Sequence, residues 1–154
     1  MRGCNAMCGR FLIVDDSKLV VEALLLVLEV AGMHGIEANS CSAAKQAAEL
    51  GEFDVVLLDI HMPDGLGLEL LPLFRSKQPQ CPVLIYSFST RPTHLARSHS
   101  LGASGYLVKG LENQKLLAAF RRALAGETLW TTTQLDTIAY AANANYMSEI
   151  VSAD

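Results

Sequence analysis

The stretch FDVVLLDIHMPDG, residues 53–65, decides the fold. Its apolar run at 55–58 has no polar residue to face water, so it reads as a strand covered on both sides. The run ends in Asp59 and then turns through Pro63, Asp64 and Gly65, residue types suited to tight turns. A charge at the end of a buried strand is costly unless another group uses it. The stretch therefore reads as a parallel-sheet strand that delivers a carboxylate to one edge of the sheet.

Similar runs recur on both sides, each followed by a helical pattern. FLIV (11–14) is the first strand, and Ser17 then caps an apolar helix that continues to about residue 31 and closes at Gly32. A weaker strand lies at 35–38, with a short helix at 42–50. After the quoted strand comes a helix at 66–77, then the strand PVLIYS (82–87) and a helix opening at Pro92. GYLV (105–108) is the fifth strand, and a helix follows over 111–125. Five strands with crossover helices are too few for a closed eight-stranded barrel. They predict an α/β, flavodoxin-like (βα)5 doubly wound parallel sheet of order 2-1-3-4-5. Pro72 falls inside the third helical pattern, where it removes a donor and opposes the carbonyl of Leu68, so a kink or tight non-α turn is expected there.

Composition narrows the function classes. The 154 residues are 51% hydrophobic and 18% charged, the balance of a globular domain. All 12 Lys and Arg lie at or before Arg122, so the formal net charge of -4 resides in the tail. No dense basic stripe is present, which argues against direct nucleic-acid binding. The four cysteines show no paired framework, consistent with reduced thiols. No apolar run is long enough to cross a membrane, and a cytoplasmic location is expected. Residues 1–9 are expected to be poorly ordered, 10–126 to form the domain, and 127–154 to be an acidic linker or tail helix.

In open parallel sheets, sites form at the carboxyl ends of the strands. Those ends carry Asp15 and Asp16, Asp59, Ser87 and Lys109. Singly, each has an ordinary explanation: a helix cap for Asp16 or Ser17, an Asx turn for Asp59, a loop hydroxyl for Ser87 and a solvated strand end for Lys109. Together on one rim they suit shared chemistry. Three close carboxylates repel, and a hard divalent cation such as Mg2+ relieves that repulsion through oxygen ligands. Lys109 and Ser87 add a cation and a hydroxyl donor, a set suited to a phosphoryl group.

At these residues the sequence resembles the receiver domains of two-component response regulators. FLIVDDSKLV matches the family's acidic pair, VVLLDIHMPDGLGLELL its phosphoacceptor segment, and VLIYS and GASGYLVKG its Ser/Thr and Lys strand ends. The resemblance covers about residues 10–126 and is nearest to the subfamily that commonly precedes a helix-turn-helix output domain. It implies that Asp59 is the phosphoacceptor, that Asp15, Asp16, Asp59 and the backbone carbonyl of His61 hold Mg2+, and that Lys109 and Ser87 neutralise phosphoryl oxygens. The phosphodonor would be a histidine kinase or phosphotransfer protein. Ser87 and Tyr106 would form the switch, with Tyr106 turning in from outside and remodelling the surface of the fourth helix, fifth strand and fifth helix. The chain would be a signalling domain rather than an enzyme, assisting its own phosphorylation and dephosphorylation.

Two positions depart from the family pattern. Phe88 stands where a small residue is usual and would shield the site from small phosphodonors or water, and His61 and Ser89 flank the path of a hydrolytic water. Gly110 replaces a common proline after Lys109. On the first helix, Val21 and Leu25 are expected to lie on or beside the wet face, either as scattered surface apolars, the commoner case, or as part of a phosphodonor-docking surface or homodimer contact. In the tail, Leu135, Ile138, Ala139, Ala142, Tyr146 and Ile150 form a rough helical stripe. Three readings follow: a linker to a DNA-binding domain absent from this chain, a pairing helix, or a helix packed on its own domain. The subfamily resemblance favours the linker, with DNA reached only through that output domain. The rival functions are a stand-alone or non-phosphorylated docking receiver and an Asp-nucleophile phosphatase. The phosphatase would need an Asp-x-Asp that VDDSK lacks.

Overall fold

The structure is a computed structural model that describes residues 9–152, with side chains described to residue 144 in the last helix. Five strands form one parallel sheet: β1 (Arg10–Val14), β2 (His34–Ala38), β3 (Val55–Leu58), β4 (Val83–Ser87) and β5 (Gly105–Val108). Their order is 2-1-3-4-5, as the strand pattern predicts. The crossovers are α1 (Lys18–Val30), α2 (Cys41–Leu50), α3 (Leu71–Lys77) and α4 (Pro92–Ser100), and α5 (Asn113–Leu124) follows β5.

Alternation along the buried strands divides the core in two. Leu12 and Val14 of β1 join Val56 and Leu58 of β3 against Ala44 and Ala48 of α2, Phe74 of α3 and Leu95 of α4. Phe11 and Ile13 point the other way, with Val55 and Leu57, against Leu24 and Leu28 of α1 and Phe120 of α5. Two faces that must both be apolar explain why the strand sequences show no alternation of polarity.

Local signals fix the helix ends. Ser17 caps α1 by accepting from the Val20 amide, and Gly32 follows with φ 76°, a left-handed conformation that glycine adopts without a Cβ penalty. The cap of α2 is Ser40, two residues before the predicted start, and its hydroxyl accepts from Ala43 N–H. Pro72 breaks the third helical pattern as expected. A tight 3-10 turn occupies Gly67–Leu70, and α3 begins at Leu71, placing Pro72 in a first turn where no intrahelical donor is needed. Val21 is buried in the α1 core face, contrary to the expectation of an apolar residue at the wet side. The exposed large apolar residues of α1 are instead Leu19, Leu26 and Val30. The first eight residues lie outside the described part, but the Gly9 carbonyl already accepts from His34 N–H at 2.8 Å. Cys41 and Cys81 are both buried.

The tail after α5 is helical. Residues Thr132–Ser152 form a further helix, α6, that packs back along α4. Leu129 is buried against Gly105, whose missing side chain makes room for it: a Cβ there would lie 2.7 Å from the Leu129 Cβ. The Leu129 amide donates to the Ser104 carbonyl at 2.7 Å, and Gln134 Nε2 donates to the Tyr106 carbonyl at 2.9 Å. These contacts cover the outer edge of β5, which would otherwise present unpaired backbone groups. The inward face runs through Gln134, Thr137, Ile138 and Ala141, so the predicted stripe is rotated: Leu135, Ala139 and Ala142 are exposed. Among the described residues no helix is long and apolar enough to cross a membrane.

Candidate functional site

The strand ends meet as predicted because the ladder continues one step beyond the strands. Asp59 N–H donates to the Val14 carbonyl at 2.9 Å, Asp15 N–H to the Ala38 carbonyl at 3.1 Å, and Lys109 N–H to the Ser87 carbonyl at 2.9 Å. Each of these residues is thereby held at the carboxyl edge with its neighbour in register. Carboxylate oxygens of Asp15, Asp16 and Asp59 all lie within 4.8 Å of one another, with Asp15 and Asp59 buried and Asp16 exposed.

Lys109 is the internal counter-charge. Its Nζ lies 2.6 Å from Asp15 Oδ2 and 3.3 Å from Asp59 Oδ2. Burial alone would depress the Lys109 pKa, but the paired carboxylates outweigh it and hold the ammonium above the usual range. Asp59 shifts the other way. Desolvation and the charge of Asp15 raise its pKa, although Lys109 and the Ile60 N–H, which donates to Oδ1 at 2.8 Å, pull it down. Asp15 Oδ1 accepts from Ser17 N–H at 2.9 Å. Its Oδ2 is buried without an aligned hydrogen bond, despite the ammonium contact. A buried, incompletely satisfied carboxylate oxygen in an all-oxygen cluster fits a hard divalent cation.

The backbone behind the site is equally constrained. A Cβ on Gly67 would sit 1.8 Å from the Asp59 carbonyl oxygen, so the 3-10 turn packs directly on the backbone of that residue. His61 and Met62 pair with Leu66 and Gly65 in a small antiparallel hairpin that folds the connection over the rim. Asp64, read in the sequence as a turn residue, also accepts from Cys41 N–H at 2.7 Å and Ser42 N–H at 3.0 Å, which lowers its pKa. It thus ties this loop to the amino end of α2, where the orphan donors and helix dipole favour an anion.

Ser87 is buried and forms the start of a hydrogen-bonded chain. Its Oγ accepts from Ser89 N–H at 3.2 Å, the Ser89 carbonyl accepts from the Tyr106 hydroxyl at 2.8 Å, and Ser89 Oγ lies 2.6 Å from His94 Nδ1. Tyr106 is therefore already inside, at 2% exposure, rather than outside as the family resemblance led us to expect. Trp130 covers it, with ring centroids 6.4 Å apart. His94, Trp130 and Gln134 were not singled out in the sequence. No local pattern marks them, because their partners are far away in the chain. His61 is exposed and meets the edge of His94 at 5.5 Å. Phe88 is 71% exposed, and Lys109 Nζ lies 5.2 Å from its ring centroid.

Comparison with known proteins agrees with the fold. Residues 11–121 match the model of the response regulator receiver domain. The chain is 32% identical over 115 residues to the transcriptional regulatory protein BasR of Escherichia coli, covering 75% of this chain and 52% of that protein. It is 29% identical over 135 residues to the transcriptional regulatory protein MctR of Rhizobium johnstonii, covering 84% of this chain and 61% of that one. The chain thus spans between half and two thirds of the length of these curated relatives. Among solved structures, a CheY-like receiver domain protein from Methanospirillum hungatei superposes with a TM-score of 0.74 at 25% identity, covering 77% of this chain and 95% of that one. The chain belongs to the response regulator receiver domain family, the receivers of two-component signalling.

Proposed function

We propose that Asp59 accepts a phosphoryl group from a phosphohistidine on a histidine kinase or phosphotransfer protein. The observation that carries this reading is the Asp15–Lys109–Asp59 cluster, a buried carboxylate braced by an ammonium at the end of a central strand. An Asp59 oxygen attacks phosphorus in line, the P–N bond breaks, and its electron pair stays on the imidazole nitrogen. Lys109 and the Ser87 hydroxyl receive the charge on the phosphoryl oxygens. Asp15, Asp16, Asp59 and the backbone carbonyl of His61 would hold Mg2+, which supplies charge neutralisation between carboxylate and phosphoryl oxygens.

Ser87 and Tyr106 are the switch in this reading, supported by their shared bonding to Ser89. Phe88 screens the entrance beside Lys109, and His61 and Ser89 modulate hydrolysis of the phosphoaspartate. The output is control of transcription through a further domain or partner, by analogy with the named relatives. The experiment is intact-protein mass after incubation with acetyl phosphate and Mg2+, comparing the wild type with Asp59→Asn. One phosphoryl adduct that requires both Mg2+ and Asp59 is expected. An adduct that persists in Asp59→Asn refutes the assignment.

A further inference from the structure

We infer that Trp130 and Gln134 are positioning residues of the phosphorylation site: through α6 they hold Tyr106 inward, so that α6 docking and phosphorylation of Asp59 reinforce each other. The inference rests on the phosphoacceptor reading and goes beyond it, because it gives the segment after α5 a part in the site's affinity. Three contacts fix Trp130 and Gln134 in place. Trp130 Nε1 donates to the Ala103 carbonyl at 2.9 Å, its ring meets the edge of His99 with centroids 5.1 Å apart, and Gln134 donates to the Tyr106 carbonyl. One side chain of α6 thus holds the Tyr106 backbone, while Trp130 lies over the Tyr106 ring at a separation typical of favourable aromatic pairs. A Tyr106 ring turning toward solvent meets Trp130.

The inward end of the same ring reaches the phosphorylation site by an unbroken path. The Tyr106 hydroxyl holds the Ser89 carbonyl, and the Ser89 amide holds Ser87 Oγ. These bonds also give the coupling its sign. A serine hydroxyl has one donor and two acceptor positions, so Ser87 can turn its proton to a phosphoryl oxygen while still accepting from Ser89. No bond along the path to Tyr106 has to break when the phosphoryl group arrives. The arrangement that α6 secures is the one the phosphoryl group uses, and the coupling is therefore positive and reciprocal.

The test uses the full chain with beryllofluoride and Mg2+ as the phosphoryl mimic. Titration calorimetry gives the affinity of the wild type, Gln134→Ala, Trp130→Ala and Trp130→Phe, with Asp136→Ala as an exposed control on the same helix. Trp130 is the single tryptophan, so its emission reports the docked state directly in the variants that retain it. Loss of the Gln134 bond should weaken mimic binding by up to about fivefold, the full value of one net hydrogen bond, because the undocked arrangement gains population in the free protein. Trp130→Phe should recover most of what Trp130→Ala loses, and Asp136→Ala should bind like the wild type. Hydrogen exchange over residues 132–144 of the wild type should slow on binding. Unchanged affinity in a folded Gln134→Ala protein, or faster exchange of α6 on binding, overturns the inference alone. Failure of the wild type to bind the mimic or to form the Asp59 adduct overturns the phosphoacceptor reading as well.

Discussion

The backbone behind Asp59 gives a sharp test of how the site is built. In Gly67→Ala the added Cβ would lie 1.8 Å from the Asp59 carbonyl oxygen, whereas real Cβ contacts essentially never fall below 3.0 Å. The two segments must therefore separate by at least about 1.2 Å, and the atom in the way belongs to the backbone, which has no rotamer to yield. Overpacking of this kind costs 1–3 kcal/mol in ordinary cores, and a backbone obstacle places the cost at the upper end, about 3 kcal/mol. For a domain of this size that lowers Tm by roughly 6–12 °C. A displacement of that size at a reacting group also slows phosphorylation by on the order of 100-fold. Gly110→Ala is the contrast: φ is 104° with nothing within 4 Å of the added carbon, so only conformational strain of about 1–2 kcal/mol is expected. Urea unfolding and acetyl phosphate labelling followed by mass measure both effects. A Gly67→Ala protein within 0.5 kcal/mol of the wild type that labels at the wild-type rate would refute the reasoning.

Three further outcomes are expected. Leu129→Ala, which empties a buried position between the tail and β5, should cost about 2–3 kcal/mol in denaturant unfolding; a change below 0.5 kcal/mol would mean the tail is not part of the cooperative unit. Asp59→Asn should stabilise the metal-free protein at pH 7. A raised folded pKa means that ionised Asp59 opposes folding, an effect that sets in as pH rises from the unfolded value through the folded one, so the gain should vanish in acid where Asp59 is protonated in both states. Thermal unfolding with EDTA at pH 7 and in acid checks this, and Mg2+ should raise Tm of the wild type more than that of the variant. Phe88→Ala should leave stability within 0.5 kcal/mol, because the ring is exposed, while acetyl phosphate labels the protein faster; an unchanged labelling rate would show that the ring does not screen the site.

The parallel sheet, its order and the carboxylate rim are legible in the chain's local pattern alone. Apolar runs of four or five residues, each ending in a polar residue, leave a doubly wound sheet, and that topology gathers Asp15, Asp16, Asp59, Ser87 and Lys109 at one edge. Pro72 likewise announced its own effect, because the lost donor is a local property of the chain. The remaining features depend on contacts between segments distant in the chain. Val21 lies inside because the rotation of α1 is set by its packing on β1 and α5, and a helix this apolar does not fix that rotation by itself. The inward face of α6 includes Gln134 because the edge of β5 offers a carbonyl that needs a donor, which no hydrophobic pattern encodes. Tyr106 is inside for the same kind of reason: the Ser89 carbonyl and the Trp130 ring, 17 residues before it and 24 after it, close around it only once the chain has folded.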